Sequence, residues 1–208
     1  MLNTEDVPSV DIQRRFDDID IYLFDQLARG RLDARRRVLD VGCGTGRNLH
    51  YLLMHGYDCC GLDRDTNAIE SLRRRAAEMG RPDAASRFVV ADATSIPWPD
   101  GAFEVIVCSA MLHFADDTAH FVRMVDEMWR VLAPGGLFFA RLASTIGLDG
   151  FADSAGRRVR LADGSDRYVV NERMLLECTG RLGGRLADPI KTTNVQQMRC
   201  MTTWCVWK

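Results

Sequence analysis

The sequence lacks the features that would assign it to a membrane, secreted or zinc-binding class. Its longest apolar stretch without a charge, residues 105–115, is well short of the roughly 18 residues of a membrane span. The first residues, MLNTEDVPSV, are acidic and polar, whereas a signal peptide needs a basic start and an apolar core. The seven cysteines include no C-x-x-C pair, and several lie in apolar runs. We therefore expect buried, reduced thiols, a cytoplasmic location, no membrane partner and no metal ion.

An excess of positive charge is also missing. The 27 lysines and arginines are balanced by 29 aspartates and glutamates, for a net charge of -2. Arginine runs occur at residues 35–37, 73–75 and 157–158, but they fall on different predicted elements and have no interleaved aromatic residues. Such runs indicate solvated faces, so we expect no nucleic-acid partner. At 208 residues the chain has room for one well-buried core, which predicts a single domain over residues 1–208.

Strand and helix patterns alternate along the first two thirds of the chain. The predicted strands are RVLDVG, DCCGLD, RFVVAD, FEVIVCSA and GLFFARLA. Between them the spacing predicts helices over about residues 45–55, from a cap at Thr66 towards Gly80, and after Asp116 or Asp117. FEVIVCSA is almost continuously apolar, as in a strand buried on both faces. This order predicts an α/β fold with a parallel, doubly wound sheet.

The two ends of the chain differ from this alternating core. Apolar residues at helical spacing predict an N-terminal helix over residues 10–30, before a core of residues 36–142. Residues 144–170 contain few large apolar residues and predict a lid with a hairpin turning at Asp163-Gly164. Residues 171–208 predict a helix capped by Asn171 and then an antiparallel strand pair.

Polar or glycine residues stand at four predicted strand ends. They are residues 40–46, Asp63, Asp92 and residues 108–109. The carboxyl ends of parallel strands meet at one edge, where open α/β sheets bind their ligands, so we expect one crevice there.

The glycine loop VLDVGCGTGRN departs from a dinucleotide-binding loop. A G-x-G-x-x-G motif would place glycine where Arg47 stands, and Asp40 just before the loop would repel a pyrophosphate. An NAD-dependent oxidoreductase is therefore the disfavoured alternative. The pattern favours a ligand with cationic and carboxylate ends and with a ribose for Asp63.

Together these segments resemble the class I S-adenosylmethionine-dependent methyltransferases, of the methyltransferase type 11/12-like kind. The resemblance covers about residues 37–142 and rests on VLDVGCGTG, GLDRD, VADAT, FEVIVCSAMLHF and WRVLAPGGLFFAR in this order. It implies a Rossmann-like, three-layer αβα fold with a seven-stranded, mostly parallel sheet and an antiparallel C-terminal strand. It also implies S-adenosyl-L-methionine as cofactor and S-adenosyl-L-homocysteine as product.

The resemblance further implies roles for individual residues. The glycine loop and the following helix N-terminus would hold the methionine part, with Asp40 near its amino group and sulfonium. Asp63 would accept from the ribose hydroxyls and Asp92 from the adenine amino group, whose ring Arg64 and Ile96 would flank. The implied cofactor-binding residues are Asp40, Gly42, Cys43, Gly44, Gly46, Arg47, Asn48, Asp63, Arg64, Asp92, Ala93, Ser109 and His113. The alternative for Asp63 and Asp92 is that they cap the next helix or turn.

The acceptor side is less specific. Methyl transfer is a direct displacement, so a base is needed only if the acceptor must lose a proton. His113 is the candidate catalytic residue, or else it packs beneath the site. Arg141 would bind an anionic substrate or pair with a carboxylate, and Tyr22 would cover the cofactor or simply pack. Residues 108–111 do not form the Asn/Asp-Pro-Pro-aromatic motif of base-amino methyltransferases, which favours a small-molecule acceptor. A non-catalytic binder of the cofactor remains the second alternative.

Overall fold

The computed structural model describes residues 15–33 and 36–208, and a single large sheet lies at its centre. The strands of the core and the C-terminus are β1 (Arg37–Val41), β2 (Asp58–Asp63), β3 (Phe88–Val90), β4 (Phe103–Ser109), β5 (Leu132–Ser144), β8 (Arg185–Leu186), β9 (Lys191–Val195) and β10 (Arg199–Trp207). Their order is β3-β2-β1-β4-β5-β10-β8, with β9 also paired to β10. The first five strands are parallel, whereas β10 is antiparallel to β5. The predicted α/β architecture is confirmed.

Helices cover both faces of this sheet. They are α1 (Ile21–Ala28), α2 (His50–Met54), α3 (Thr66–Glu78), α4 (Ala84–Arg87), α5 (Thr118–Val131) and α6 (Glu172–Arg181). Two 3-10 turns, Leu112–Phe114 and Ala152–Ser154, lie in the connections. Leu39 and Ile106 are fully buried on one face of the sheet, and Val38 and Val105 are fully buried on the other. The expected burial of the central strands on both faces is therefore confirmed, with the apolar core in two layers.

Aspartate or asparagine side chains begin helices α3, α5 and α6. Asp117 accepts a hydrogen bond from the His120 N–H, and Asn171 accepts one from the Met174 N–H, as predicted. Helix α3 is capped by Asp65, which accepts from the N–H groups of Asn67 and Ala68. The prediction that Thr66 caps this helix is wrong by one residue, because the aspartate before it reaches both free donors.

Within the described part of the chain, two predicted helices differ in extent from the prediction. The N-terminal helix predicted over residues 10–30 includes residues 10–14, which lie outside the described part. Beyond them it is interrupted, because Asp17 adopts a φ of 53° and α1 starts only after its cap, Asp20. The helix predicted from Thr45 begins at His50, because turns continue through residues 47–49.

The hairpin and the C-terminal strands follow the predicted pattern with one difference. Strands β6 (Arg157–Arg160) and β7 (Asp166–Val169) are antiparallel, and Gly164 in their turn has a φ of 81°. The predicted sixth strand is split into β8 and β9, which gives eight strands in the sheet rather than seven. Pro189 lies in the gap and has no N–H for a strand ladder.

The structure also bears on the sequence-based exclusions. All seven cysteines are buried free thiols, as expected. Within residues 15–33 and 36–208, no helix has the length and apolar character to cross a membrane. The same residues contain no group of three or more His, Cys, Asp or Glu side chains arranged to hold a metal ion.

Candidate active site

The ends of β1, β2, β3 and β4 surround a cavity of about 360 Å³, which we call the acidic cavity. Gly42 follows β1, Asp63 ends β2, Asp92 and Ala93 follow β3, and Met111 follows β4. The expected crevice at the carboxyl edge is therefore present. Of the residues predicted to bind the cofactor, the cavity wall holds Gly42, Asp63, Arg64, Asp92 and Ala93.

The three glycines of the loop differ in how closely the protein packs around them. Gly42 and Gly46 adopt φ values of 76° and 86°, and a Cβ there would lie 2.5 Å from Met111 Cγ or 2.4 Å from Leu72 Cδ1. Gly44 has a φ of 52°, and a Cβ there would meet nothing within 4 Å. Packing within the protein therefore accounts for Gly42 and Gly46, and it leaves the space at Gly44 open.

Hydrogen bonds within the chain occupy most N–H groups of this loop. Gly42 and Cys43 donate to the Leu62 carbonyl over 2.8 and 3.0 Å, and Gly46 donates to the Cys43 carbonyl over 2.9 Å. Gly44 donates to Asp63 Oδ2 over 2.8 Å. These four N–H groups are bonded within the protein, and α2 starts beyond the loop, so the predicted contact of the loop with the methionine part would need other N–H groups. Cys43, Gly44 and Gly46 do not line the acidic cavity.

Asp63 connects the glycine loop to the turn before α3. Its Oδ2 accepts from Gly44 N–H, and its Oδ1 accepts from Asp65 N–H over 2.9 Å. The expected alternative, a turn-capping role, is thus present. A carboxylate oxygen has two lone pairs, so each oxygen retains one acceptor site on the wall of the cavity.

Asp92 also has a local structural role. Its Oδ1 accepts from both the N–H and the hydroxyl of Thr94, over 2.8 and 2.6 Å. These hydrogen bonds hold the pKa of the Asp92 carboxyl below its ordinary value. Its Oδ2 lies 3.7 Å from Nη1 of Arg64, whose side chain is 68% exposed. Ile96, expected beside the adenine, is buried in the core and does not line the cavity.

Asp40 lies beneath the glycine loop and not on the cavity wall. It is fully buried, and among the described residues neither carboxylate oxygen has a hydrogen-bond partner. Burial raises its pKa to about 7, an effect that Asp63 increases and Arg47 opposes. An unpaired buried carboxylate is costly, so a cationic group reaching this position would be stabilised.

A buried polar network joins the N-terminal segment to the ends of β4 and β5. Asp20 is 3% exposed, and its Oδ2 accepts from Ser109 Oγ and from Arg141 Nη1, each over 2.9 Å. The Asp20 N–H donates to Asn48 Oδ1 over 3.0 Å. Ser109 and Asn48 therefore bind the protein's own N-terminal segment and are absent from the acidic cavity.

Arg47 extends this network and is likewise absent from the acidic cavity wall. It donates to the Asp18 carbonyl over 3.1 Å and to Ser109 Oγ over 3.3 Å. In these contacts Arg47 binds the N-terminal segment and the end of β4, and its place among the cofactor-binding residues stays a prediction. The sequence reasoning missed Asp20, although an aspartate before an amphipathic run is a signal for a helix cap.

Tyr22 packs on the same network. The Arg141 guanidinium lies over its ring at 5.0 Å, and its hydroxyl is 2.6 Å from Thr193 Oγ1. The structure thus shows the packing alternative for Tyr22 and the carboxylate pair for Arg141.

A second cavity of about 340 Å³ adjoins the acidic one, and we call it the basic cavity. It is lined by Arg141, His113, Leu161 and Arg167, among others, and Ala110 and Phe114 line both cavities. Ala110 adopts a φ of 63°, which is strained for a residue with a side chain. A non-glycine residue in this conformation at the junction of two cavities is typical of a functional site.

His113 lines the basic cavity, not the acidic one. Its side chain is almost completely buried, and Nδ1 has no hydrogen-bond partner among the described residues. Burial, and then the charges of Arg167 and Arg158, lower its pKa to about 3. The imidazole is therefore neutral near pH 7, and it is a poor proton acceptor.

Sequence reasoning missed several residues of the acidic cavity. These are Leu62, Asp65, Ala91, Ala110, Met111, Phe114, His120 and Met124. Met111 and Phe114 stand in the segment FEVIVCSAMLHF, where a strand end facing the crevice was expected. His120 and Met124 come from the first turns of α5, and nothing in their spacing distinguishes a cavity wall from a packed helix face.

Comparisons with known proteins agree with this geometry. A family model described as "Methyltransferase domain" matches residues 39–140. A malonyl-[acyl-carrier protein] O-methyltransferase of Halorhodospira halophila is 33% identical over 67% of this chain and 47% of its own length. A demethylmenaquinone methyltransferase of Thermus thermophilus is 36% identical over 50% of this chain and 45% of its own. The chain thus spans about half the length of these curated relatives.

Solved structures show the same fold at low sequence identity. An S-adenosylmethionine-dependent methyltransferase of Methanosarcina mazei has a TM-score of 0.68 at 19% identity, over 88% of this chain and 96% of that one. Magnesium protoporphyrin IX methyltransferase of Synechocystis, with bound S-adenosylhomocysteine, has a TM-score of 0.66 at 16% identity, over 91% and 81%. The [4+2]-cyclase SpnF also matches, with a TM-score of 0.68 at 19% identity, over 90% and 80%.

Proposed function

The chain belongs to the class I S-adenosylmethionine-dependent methyltransferases, and on this premise we propose that it transfers a methyl group to a small-molecule acceptor. One observation carries the proposal: an acidic cavity at the strand ends meets a separate basic cavity at Ala110 and Phe114. Two adjoining cavities suit the transfer of a group from one ligand to another, because ligands that share a wall have their reacting atoms close together.

The acidic cavity is the proposed site for the adenosine part of the cofactor. Asp63 is assigned to the ribose hydroxyls through its remaining lone pairs, and Asp92 and Ala93 to the adenine edge. Met111 and Phe114 supply apolar wall for the ring. Arg64 is assigned to the rim, because its side chain is largely exposed.

Asp40 tests whether the chain fits this cofactor. S-Adenosylmethionine carries an amino group and a sulfonium, both cationic, and Asp40 is a buried carboxylate without a partner among the described residues. A cation beside it would lower its pKa from about 7 and remove the cost of the unpaired charge. The residues present therefore fit the cofactor, with Asp40 acting from below the loop.

The chemistry is a single displacement. The acceptor's lone pair forms a bond to the methyl carbon as the carbon–sulfur bond breaks, and the bonding pair stays on sulfur. The protein's part is to align the acceptor and to exclude water. We assign His113 a positioning role, because a group with a pKa of about 3 is a weak base near neutral pH.

Several finer features belong to the same proposal. The segment of residues 144–170 and the N-terminal helix are assigned to covering the two cavities. A cytoplasmic location and a small-molecule partner also remain part of it. The curated relatives named above are named for acting on malonyl-[acyl-carrier protein] and demethylmenaquinone, which are chemically unlike each other, so they give no common acceptor.

A non-catalytic binder, or an enzyme of another reaction on this fold, is the second candidate. The fold is compatible with this candidate, because SpnF shares the fold and is described as a [4+2]-cyclase, not as a methyltransferase. An NAD-dependent oxidoreductase has no such support.

Two measurements test the proposal. Calorimetry should show binding of S-adenosylmethionine and S-adenosylhomocysteine and none of NAD, and the opposite result would refute the cofactor assignment. Incubation with methyl-labelled cofactor and a metabolite extract should then yield a labelled small product. Binding without any labelled product would favour the second candidate.

A further inference from the structure

The basic cavity has a charge pattern that bears on the acceptor, and the inference drawn from it rests on the proposed function. Three arginines line this cavity: Arg141 from β5, Arg167 from β7 and Arg199 from β10. Asp163 is the one carboxylate among its described lining residues. The wall thus carries three positive charges and one negative charge.

The negative charge at Asp163 is already engaged. Its Oδ1 accepts from the N–H and the hydroxyl of Ser165, over 3.0 and 2.6 Å, and its Oδ2 lies 3.2 Å from Arg199 Nη1. These contacts hold the pKa of the Asp163 carboxyl below its ordinary value, so it is ionised and offsets Arg199. Arg141 is offset in the same way by Asp20 on its far side.

Arg167 is the cation that the chain leaves without a carboxylate. It donates to the Asp166 carbonyl over 3.1 Å and lies over the Phe114 ring at 4.9 Å. Within the described part of the chain it forms no salt bridge. In addition, Nε of Arg141 is buried without a hydrogen-bond partner among those residues. Two guanidinium groups among the lining residues therefore have donors that the described part of the chain leaves unpaired.

His113 lies near the same charges. Burial first, and then the positive charges of Arg167 and Arg158, lower the pKa of its imidazole. A positive potential in a partly enclosed site attracts an anion more strongly than the same charges would in open water.

The wall also has an apolar part. Ala143, Leu161 and Met201 line this cavity, and Phe114 lines both cavities. A volume of about 340 Å³ suits a small organic molecule. This combination favours an acceptor with an apolar body and an oxyanion.

We propose that the basic cavity binds a small organic oxyanion as methyl acceptor, with Arg167 and Arg141 as the anion-binding residues and Phe114 beside its reactive end. Arg199 stays paired with Asp163 and sets the far edge of the site. The chemistry shared by the candidate ligands is a carboxylate or a phosphate monoester on an apolar body, since guanidinium binds both through paired donors.

Binding to the S-adenosylhomocysteine-saturated protein tests this without any need to know the natural acceptor. Phenylacetate, phenyl phosphate and the neutral analogue phenylacetamide would each be titrated, with chemical shifts of the backbone amides of residues 110–114 as the readout. At least one anion should bind about tenfold more tightly than the amide, and the two anions show whether carboxylate or phosphate is preferred.

Variants then locate the anion. Arg167→Gln should weaken anion binding about tenfold, whereas Arg167→Lys should retain part of it because the charge remains. Arg123→Gln is the matched control, since Arg123 is exposed on α5 and does not line either cavity. A thermal melt of each variant confirms that it is folded.

The outcomes separate this inference from the proposed function. Equal binding of phenylacetamide and both anions, absence of anion binding, or anion binding unaffected by Arg167→Gln would each overturn the anion site. Failure of S-adenosylhomocysteine to bind, with arginine-dependent anion binding retained in the free protein, would instead overturn the proposed function and leave the anion site standing.

Discussion

Asp20 and Arg141, 121 residues apart in the sequence, are joined by a salt bridge of 2.9 Å at the end of β5. The Asp20 side chain is 1% exposed and that of Arg141 is 21% exposed. Asp20 is also the cap of α1, since its Oδ1 accepts from Tyr22 N–H over 3.0 Å. One carboxylate thus starts the N-terminal helix and holds it against the wall of the basic cavity.

Replacing Asp63 by alanine should weaken cofactor binding. The change removes the acceptors assigned to the ribose hydroxyls, so the Kd of S-adenosylhomocysteine should rise by the equivalent of about 1–3 kcal/mol. Calorimetry measures this directly. Asp83→Ala is a suitable control, because Asp83 is exposed and pairs only locally with Arg87. An unchanged Kd for Asp63→Ala would refute the ribose assignment.

The glycine loop permits a matched comparison between a closely packed position, Gly46, and an open one, Gly44. Gly46→Ala should lower the free energy of unfolding by about 1–3 kcal/mol, because the new methyl group overlaps Leu72. Gly44→Ala meets no neighbour, so it should cost only about 1 kcal/mol for its positive φ. Denaturant titration without ligand measures both. Equal losses of stability would contradict the distinction between the two glycines.

Local sequence patterns predict some parts of this fold and site but not others. The succession of strands and helices along the chain, the polar strand ends and the hairpin turn followed from periodicity and turn chemistry, because these are local signals. Asp20 and Arg141 could not be paired from sequence, since a contact over 121 positions depends on how the helix docks. The N–H groups of the glycine loop were assigned to a ligand, but the structure shows them bonded to Leu62, Asp63 and Cys43. Sequence spacing identifies the loop but does not show to which acceptors its backbone N–H groups donate.

Asp40→Asn should stabilise the ligand-free protein in a pH-dependent way. The folded pKa of Asp40 is raised to about 7, so the folded state retains a proton that the unfolded chain loses at lower pH. The contribution of this carboxyl to the free energy of unfolding therefore falls as pH rises from about 4 to about 7, and the asparagine variant lacks that loss. At about pH 8 the variant should melt about 2–4 °C higher, for a gain of about 1 kcal/mol.

Asp40→Asn should weaken cofactor binding, although it stabilises the ligand-free protein. The ionised carboxylate favours the cationic amino group, so S-adenosylhomocysteine should bind more weakly to Asp40→Asn, and wild-type affinity should fall below about pH 7. Calorimetry in buffers with different ionisation enthalpies should detect proton release on binding. Unchanged affinity in the variant, with no proton release in the wild type, would exclude Asp40 from the cofactor's surroundings.

His113 should give no inflection near pH 6.5 in the rate profile. Its pKa is lowered to about 3, so the imidazole stays neutral across the usual assay range. His113→Gln should reduce kcat by less than about tenfold, whereas loss of a general base costs about 10²–10⁴-fold. The same shift predicts that the contribution of His113 to the free energy of unfolding falls as pH drops from about 6.5 towards 3, because the unfolded chain binds a proton on this imidazole that the folded state does not bind. A drop of kcat in the range of a lost base would contradict the positioning role.

The Asp20–Arg141 pair should show strong energetic coupling in a double-mutant cycle. Asp20→Asn keeps an oxygen for the Tyr22 N–H but removes the charge opposite Arg141, and Arg141→Gln leaves Asp20 buried without a cation. Each change should therefore cost about 1–3 kcal/mol, below the range for a fully buried pair because Arg141 is partly exposed. The double variant has neither unpaired charge, so its loss of stability should be smaller than the sum of the two single losses by about 0.5–3 kcal/mol.

The control cycle uses Arg173 and Glu177, a 2.7 Å pair with side chains 84% and 61% exposed, where coupling should be about 0.5 kcal/mol or less. Coupling at Asp20–Arg141 no larger than in this control would show that this ion pair does not hold α1 in place.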